Sequence, residues 1–374
     1  MGKRLRMNYS HLVLVVLLIS ILFCIGASQM HFCPQSSENT THNLETLANL
    51  PLSIDGNAQL AVAASSGDGS PATPYIIENK IINASGKGKD GIYIRNTTAY
   101  FILRNCIVTN AAGGAQYFKG VHLYNVTNAR LENITAYKNY WGIYVESSSG
   151  NNLTSISADG VEIIHSHNNI IRIVNTSDIF MGTGVFLSYS NHNTLVNITA
   201  DRNGYGILLD TSNQNTLVNV SACGNFNDGI DLWTSHNNTL KDSIANDNFD
   251  QSGIYMNSGF YLDHSNNNTL IRNIANRNNV GIHLVASNYT RVIGNTVHGN
   301  SICIRNVYST GNILKNNDCG GGSIAGFNWI FILLALLILD FLITISKIKR
   351  TFTFYFGDYF FYKNFFEPFK NSRL

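Results

Sequence analysis

The feature that most constrains this chain is a short recurring motif, a small residue followed by alternating apolar side chains. It stands at Gly91-Ile92, Gly120-Val121, Gly142-Ile143, Gly160-Val161, Gly184-Val185, Gly206-Ile207, Gly229-Ile230, Gly259-Phe260, Gly281-Ile282 and Ser301-Ile302. The usual interval is roughly 20 to 24 residues, the range of solenoid coils. Apolar residues within a motif are spaced by two, as in Ile207 and Leu209 or Ile230 and Leu232, and no spacing of three and four persists over a dozen residues. That periodicity belongs to strands and excludes helical solenoids. A polar turn and a second apolar strand follow, at Asn193-Thr194-Leu195, Asn215-Thr216-Leu217, Asn238-Thr239-Leu240 and Asn268-Thr269-Leu270, and a third short strand is expected to close each coil. The interval is shorter from Gly142 to Gly160 and longer after Gly91 and Gly229, the last predicting an insertion around Ser252 to Ser258. All five prolines (Pro34, Pro51, Pro71, Pro74, Pro368) fall outside the coils, as a sheet that uses every backbone N–H in its ladder requires.

The pattern predicts an all-β parallel β-helix solenoid of about ten coils across residues 51–322. Coils stacked roughly 4.8 Å apart align inward Ile, Leu and Val in columns and bring Asn at equivalent turns into a ladder. Asn193, Asn215, Asn238 and Asn268 form the expected ladder, satisfying turn backbone groups that would otherwise be buried unpaired. Glycine at the coil starts suits corners that need a positive φ. Cys106 reads as an inward small hydrophobe.

These coils, G-I-x-apolar followed by N-x-x-L, resemble the right-handed parallel β-helix repeat of the carbohydrate-binding and sugar-hydrolase superfamily, including its NosD-like periplasmic copper-binding branch. The first segment is similar too, with Gly67-Asp68-Gly69 and Pro74-Tyr75-Ile76-Ile77 leading to Gly91-Ile92-Tyr93-Ile94. The resemblance covers about Leu52 to Cys319. It implies the fold and its hand, and leaves activity open among lyases, hydrolases, epimerases and non-enzymatic surface proteins.

Two apolar segments flank the repeat. Lys3, Arg4 and Arg6 precede the run from Leu12 to Gly26, which small residues Gly26, Ala27 and Ser28 follow, so residues 1–28 read as a secretory signal or an uncleaved anchor. A linker, 29–50, comes next. Residues 326–346 read as one transmembrane helix, with Lys347, Lys349 and Arg350 marking its cytoplasmic side. The tail, 347–374, is rich in Phe and Tyr and is expected to lie on the inner membrane surface. Asp340 within the span is expected to be protonated or near the interface. This topology places the β-helix at the cell surface. Only 13% of residues are charged and the formal net charge is +2, which sets nucleic acid aside as a partner. Nothing in the sequence fixes the oligomeric state.

Chemistry has to reside at the outward positions. With the apolar residues inward, one exposed column reads Tyr93, His122, Tyr144, Glu162, Phe186, Leu208, Asp231, Tyr261, His283 and Cys303, and a second contains Arg95, Tyr124, Glu146, Asp210, Trp233, Asp263 and Arg305. Rings beside acids suit a sugar chain, whose apolar faces stack on aromatics while its hydroxyls bond carboxylates. Tyr144, Glu146, Trp233, Tyr261 and His283 are the candidate ligand-binding residues. Asp210, Asp231 and Asp263 are candidates for a catalytic pair in sugar hydrolysis or for calcium ligands. The acid-rich motifs of pectinase-like hydrolases are not recognisable, Asp228-Gly229-Ile230-Asp231 being the nearest fragment, so the reading leans to binding without catalysis. Copper, which the resemblance raises, would fall to His165 and His167 or to Met30, His31, Cys33 and His42, and is disfavoured because His192, His236 and His264 share no column. After the signal five cysteines remain, an odd number without framework spacing, and a Cys303 to Cys319 bridge stays open. N-x-S/T sequons recur at Asn-Thr turns, among them Asn197, Asn219 and Asn267, making a glycoprotein possible in a host that glycosylates exported chains. Two readings remain: a surface module that binds polysaccharide, and a structural or adhesive rod with no ligand in its groove.

Overall fold

The computed structural model describes residues 50–113, 116–179, 181–249 and 256–320. The expected signal or anchor, nearly all of the linker, most of the insertion expected around Ser252 to Ser258, the membrane span and the aromatic tail lie outside the described residues. Among the described residues no helix is long and apolar enough to cross a membrane. The chain divides into two compact units, Met1–Asp318 and Cys319–Leu374, and the β-helix is the first of them.

Two parallel sheets run the length of this unit. One has eleven strands, from Leu52–Asp55 to Ile302–Val307, and the other twelve, from Tyr75–Glu78 to Ile313–Lys315. In each sheet a strand pairs with its equivalent in the next coil, so the fold is an all-β parallel β-helix with a single short α-helix among the described residues, Gly56–Ala63. That helix buries Leu60 in the same core as Ile54 and Ile92, covering apolar surface that the first coil would otherwise expose to water. Inward columns such as Leu187, Leu209, Leu232, Leu262 and Leu284 are fully buried and in register. The third strand of the later coils is reduced to single bridges, Ser221 with Ile244 and Ile244 with Ile274. In the early coils the second strand is long, as in Phe101–Thr109 and Ala129–Tyr137, and covers that stretch itself.

The turns are held by side chains that replace backbone partners. Asn193 Oδ1 accepts the N–H of Asn169, Asn215 that of Asn193, Asn238 that of Asn215 and Asn268 that of Asn238, at 2.7–2.9 Å. Each amide also donates back to a turn carbonyl, Asn215 to that of Ser190 and Asn238 to that of Ser212. A serine row runs alongside: the hydroxyls of Ser190, Ser212, Ser235, Ser265 and Ser287 each accept from the serine N–H one coil earlier. A buried turn group without a partner costs about 1–3 kcal/mol, so these rows are what make a fully buried polar turn tolerable.

Two expectations need correction. Glycine at the coil starts is not there for a positive φ, which among these glycines only Gly160 has. A Cβ on Gly184 would lie 2.7 Å from the Gly206 carbonyl oxygen and 2.6 Å from Asn203 Nδ2, so the requirement is close approach between coils. Positive φ falls instead on residues such as Asn197 (φ 56°) and Asn219 (φ 53°), inside the strands Thr194–Thr199 and Thr216–Ser221, where a short amide side chain tolerates it. The second correction is a slip in the last coil. Ile302 pairs with Val280 and Ile304 with Ile282, so Cys303 takes the place of Gly281 and Arg305, not Cys303, stands next to His283 in the outward column.

Candidate functional site

The register of the eleven-stranded sheet fixes the outward face. Tyr93, His122, Tyr144, Glu162, Phe186, Leu208, Asp231, Tyr261, His283 and Arg305 form one column. Beside it run Arg95, Tyr124, Glu146, Ile164, Ser188, Asp210, Trp233, Asp263 and Val285. Phe186, Leu208, Ile164 and Ser188 separate two polar stations.

The later station gathers Asp210, Asp231, Trp233, Tyr261, Asp263 and His283. Asp210 and Asp263 are two coils apart, about 10 Å, with Trp233 in the column between them and Asp231 on the same strand as Trp233. Asp210 and Asp263 have local partners, Thr211 Oγ1 at 2.9 Å and His264 Nδ1 at 2.7 Å. Asp231, 9% exposed, has none for its Oδ1 among the described residues. Burial, then the charges of Asp228, Asp263 and Asp210, push its carboxyl well above the usual range. Burial likewise raises Asp228 to about 7, against the hydrogen bond it accepts from the Ser258 N–H at 2.5 Å. Tyr261 is pushed up to about 12 by burial and then by Asp263, Asp231 and Asp228. His283 is pushed down to about 4 by burial and by Arg305, so it is neutral at pH 7. A cleft of about 550 Å³ opens beside these groups, lined by Tyr205, Asn227, Asp228, Met256, Asn257, Tyr261 and His283. Trp233 stays 55% exposed at its flank.

The earlier station holds Tyr144 and Glu146, which the structure places with His122 and Glu162 and not with the aspartates. His122 Nδ1 lies 2.8 Å from Asp90 Oδ2, and its Nε2 3.5 Å from Glu146 Oε2. Its ring stacks on Tyr93 at 4.5 Å and meets the edge of Tyr144 at 5.0 Å. Lys119 Nζ sits 4.8 Å over the Tyr144 ring, while Asp90 Oδ1 accepts the Lys119 N–H at 2.8 Å. Burial raises Glu162 to about 7; Lys119 opposes that shift and Glu146 adds to it.

Asp90, Lys119, Tyr205 and Asp228 are the functional-face residues that strand alternation misses. Tyr205 and Asp228 have the parity of inward Ile207 and Ile230, yet both line the cleft. The signal that finds the acids is an Asp directly before a coil-start glycine, present at Asp90-Gly91, Asp159-Gly160 and Asp228-Gly229.

Among the described residues no group of three or more His, Cys, Asp or Glu side chains is placed to hold a metal ion. His165 stacks on Tyr189 at 5.1 Å. His167 Nδ1 accepts the Asn191 N–H at 3.0 Å, and His236 Nδ1 accepts that of Asn266 at 3.0 Å. These imidazoles stand where Asn stands in neighbouring coils, and the nitrogen that accepts is not available to a metal. Met30, His31, Cys33 and His42 lie outside the described residues. Cys106 is buried and free, whereas Cys223, Cys303 and Cys319 are disulfide-bonded.

The strand path and the outward face together define a right-handed parallel β-helix. The family described as "Right handed beta helix region" matches residues 141–297. No curated protein matches the chain. Among solved structures, the periplasmic alginate epimerase AlgG is similar at 12% identity, covering 72% of this chain and 84% of its own with a TM-score of 0.43. The pectate lyase Pel9A is similar at 15% identity, with 74% and 82% covered and a TM-score of 0.43. The Dettilon tailspike protein is similar at 12% identity, with 70% and 60% covered and a TM-score of 0.48. At these identities and scores the likenesses carry no inference about chemistry.

Proposed function

We propose that this chain is a surface protein, tethered by the apolar segment 326–346, whose β-helix binds polysaccharide along the outward face of the eleven-stranded sheet. One observation carries the reading: rings and acids alternate from coil to coil in a single column, Tyr144 with Glu162 and Asp231 with Tyr261, and are held partly recessed. Outward charged groups on an ordinary strand face are solvated, since burying one without a partner is costly. Here Glu162 and Asp231 are 8% and 9% exposed. A sugar ring laid on Tyr261 would bring its hydroxyls to Asp231, and one laid on Tyr144 would bring them to Glu162. The reading is of binding without catalysis, since the site candidates Asp210 and Asp263 are tied up by Thr211 and His264.

The test is a polysaccharide panel presented to the full chain and to Trp233→Ala. Saturable binding to one polymer, weakened roughly tenfold by the loss of the ring, is the expected result. Binding to none, or binding that Trp233→Ala leaves unchanged, would replace this reading with that of a rod that carries no ligand.

A further inference from the structure

On the twelve-stranded sheet one position per coil holds a left-handed backbone. Asn105, Asn133, Ser155, Ile173, Asn197 and Asn219 occupy it in successive coils, with φ between 53° and 57°. Side chains stitch this column together. Asn133 Nδ2 donates to Asn105 Oδ1 at 3.0 Å, Asn219 Nδ2 to Asn197 Oδ1 at 2.8 Å, and further along Arg272 forks onto Asp242 at 2.8 and 2.9 Å. The stitching breaks at Ser155 and Ile173. Isoleucine at positive φ is a strained choice, because its branched Cβ crowds the backbone, and this one is also 56% exposed. An outlier of that kind points to a use. At the break lies a shallow hollow of about 280 Å³, with Ser155, Ile173, Asn175, Asn197 and Thr199 in its wall.

The break changes what Asn197 can do. In the ladder each amide donates to the coil before, but the coil before Asn197 carries Ile173 at this position, so among the described residues its Nδ2 has no acceptor. Asn197-Ile198-Thr199 is an N-x-T sequon, and both Asn197 and Thr199 line the hollow. Other sequons are placed differently. Asn96, Asn125, Asn133 and Asn219 have Nδ2 committed to a neighbouring coil, and a sugar there would have to break that bond. At Asn175 the sequon hydroxyl, Ser177 Oγ, accepts the Asp201 N–H at 3.2 Å. Asn237 and Asn267 are exposed but occupy one column in adjacent coils, about 4.8 Å apart, so a sugar on one crowds the other.

We propose that Asn197 carries an N-linked glycan whose first sugar sits in the gap over Ile173, covering apolar surface that the broken ladder leaves in water. The donor is a lipid-linked oligosaccharide. An Nδ2–C1 bond forms, the C1–O bond to the lipid phosphate breaks with its electron pair going to the phosphate, and one amide proton is lost to the transferase. The inference rests on the reading of this chain as a surface protein and is independent of any ligand on the outward face. The disulfide bonds of Cys223, Cys303 and Cys319 fit an oxidising compartment of that kind.

The experiment is glycopeptide mass spectrometry of the full chain, made in a cell that exports it and contains an N-oligosaccharyltransferase. The expected result is an oligosaccharide on Asn197, with Asn133 and Asn219 bare. Thr199→Ala should remove that sugar and Thr199→Ser should retain it. Its loss in Thr199→Ala should lower the melting temperature by about 2 °C. The same change made together with Ile173→Asn, which supplies Asn197 with an acceptor, should cost nothing. A bare Asn197 beside an occupied Asn237 or Asn267, equal occupancy of Asn133 and Asn219, or a melting temperature indifferent to the sugar overturns the assignment. Sugar on no sequon overturns it as well, and protease treatment of intact cells then reads the topology separately: digestion of the β-helix leaves the surface reading standing, and protection removes it.

Discussion

The two stations on the outward face use the same backbone, the same coil spacing and nearly the same residue types, yet they settle their charges differently. Around His122, Asp90 and Glu146 lie on either ring nitrogen and the charge of Lys119 acts on Glu162, whose Oε2 accepts no hydrogen bond among the described residues. Around Asp231, among the described residues, the charges that act on the carboxyl come from other acids, Asp228, Asp263 and Asp210. The earlier station is thus a network closed around the His122 ring, whereas the later one gathers acids on neighbouring coils. The β-helix sets the rise between side chains but not their pairing, so a single scaffold can carry two differently charged clusters a few coils apart.

Substitutions can break or sharpen this contrast. The largest effect should come from His122→Ala, which strips Asp90 of its partner and removes a ring packed between Tyr93 and Tyr144; a loss of about 3 kcal/mol in denaturant unfolding is expected. If stability barely moves, the earlier station is not a closed network. Asp231→Asn should do the reverse and stabilise the protein by ~2 kcal/mol once pH is high enough to ionise this raised carboxyl, because a neutral amide then replaces a buried anion. A destabilised variant would mean that Asp231 already has a partner.

Glu162→Gln tests the electrostatics directly. A carboxyl whose folded pKa is raised to about 7 from 4.5 binds more protons folded than unfolded, so stability falls as pH rises between those values and stays low above them. The variant should gain roughly 1.5 kcal/mol at pH 8 after allowing for solvent screening, and nothing at pH 4. A gain that does not vary with pH would point to packing as its cause. Trp233→Ala should change stability least, within about 0.5 kcal/mol, since the ring is largely exposed. Any larger loss would make Trp233 part of the scaffold and not of the ligand surface.

The solenoid was legible because its inward residues repeat: a column of Leu or Ile leaves a period of two within strands and an interval of coil length between them. Asn at the turns was legible for the same reason. What the sequence conceals is whatever departs from alternation. Tyr205 and Asp228 line the cleft despite an inward parity, and Arg305 replaces Cys303 in its column because Ser301-Ile302 only mimics a coil start. The closed network around His122 joins residues from three successive coils, and no local pattern announces which acids will be paired and which left alone.

Each turn row has a direction: in the buried Asn row every side chain accepts a backbone N–H from the coil before it, and in the row of His167, Asn191 and Asn213 from the coil after it. A coil is therefore a modular part with identical fittings at its two ends. An in-frame genetic duplication of one coil would join its neighbours without disturbing them and lengthen the face by about 4.8 Å, whereas losing a single residue would misalign every column beyond it. The length of the outward face can evolve in whole steps while the fold stays the same.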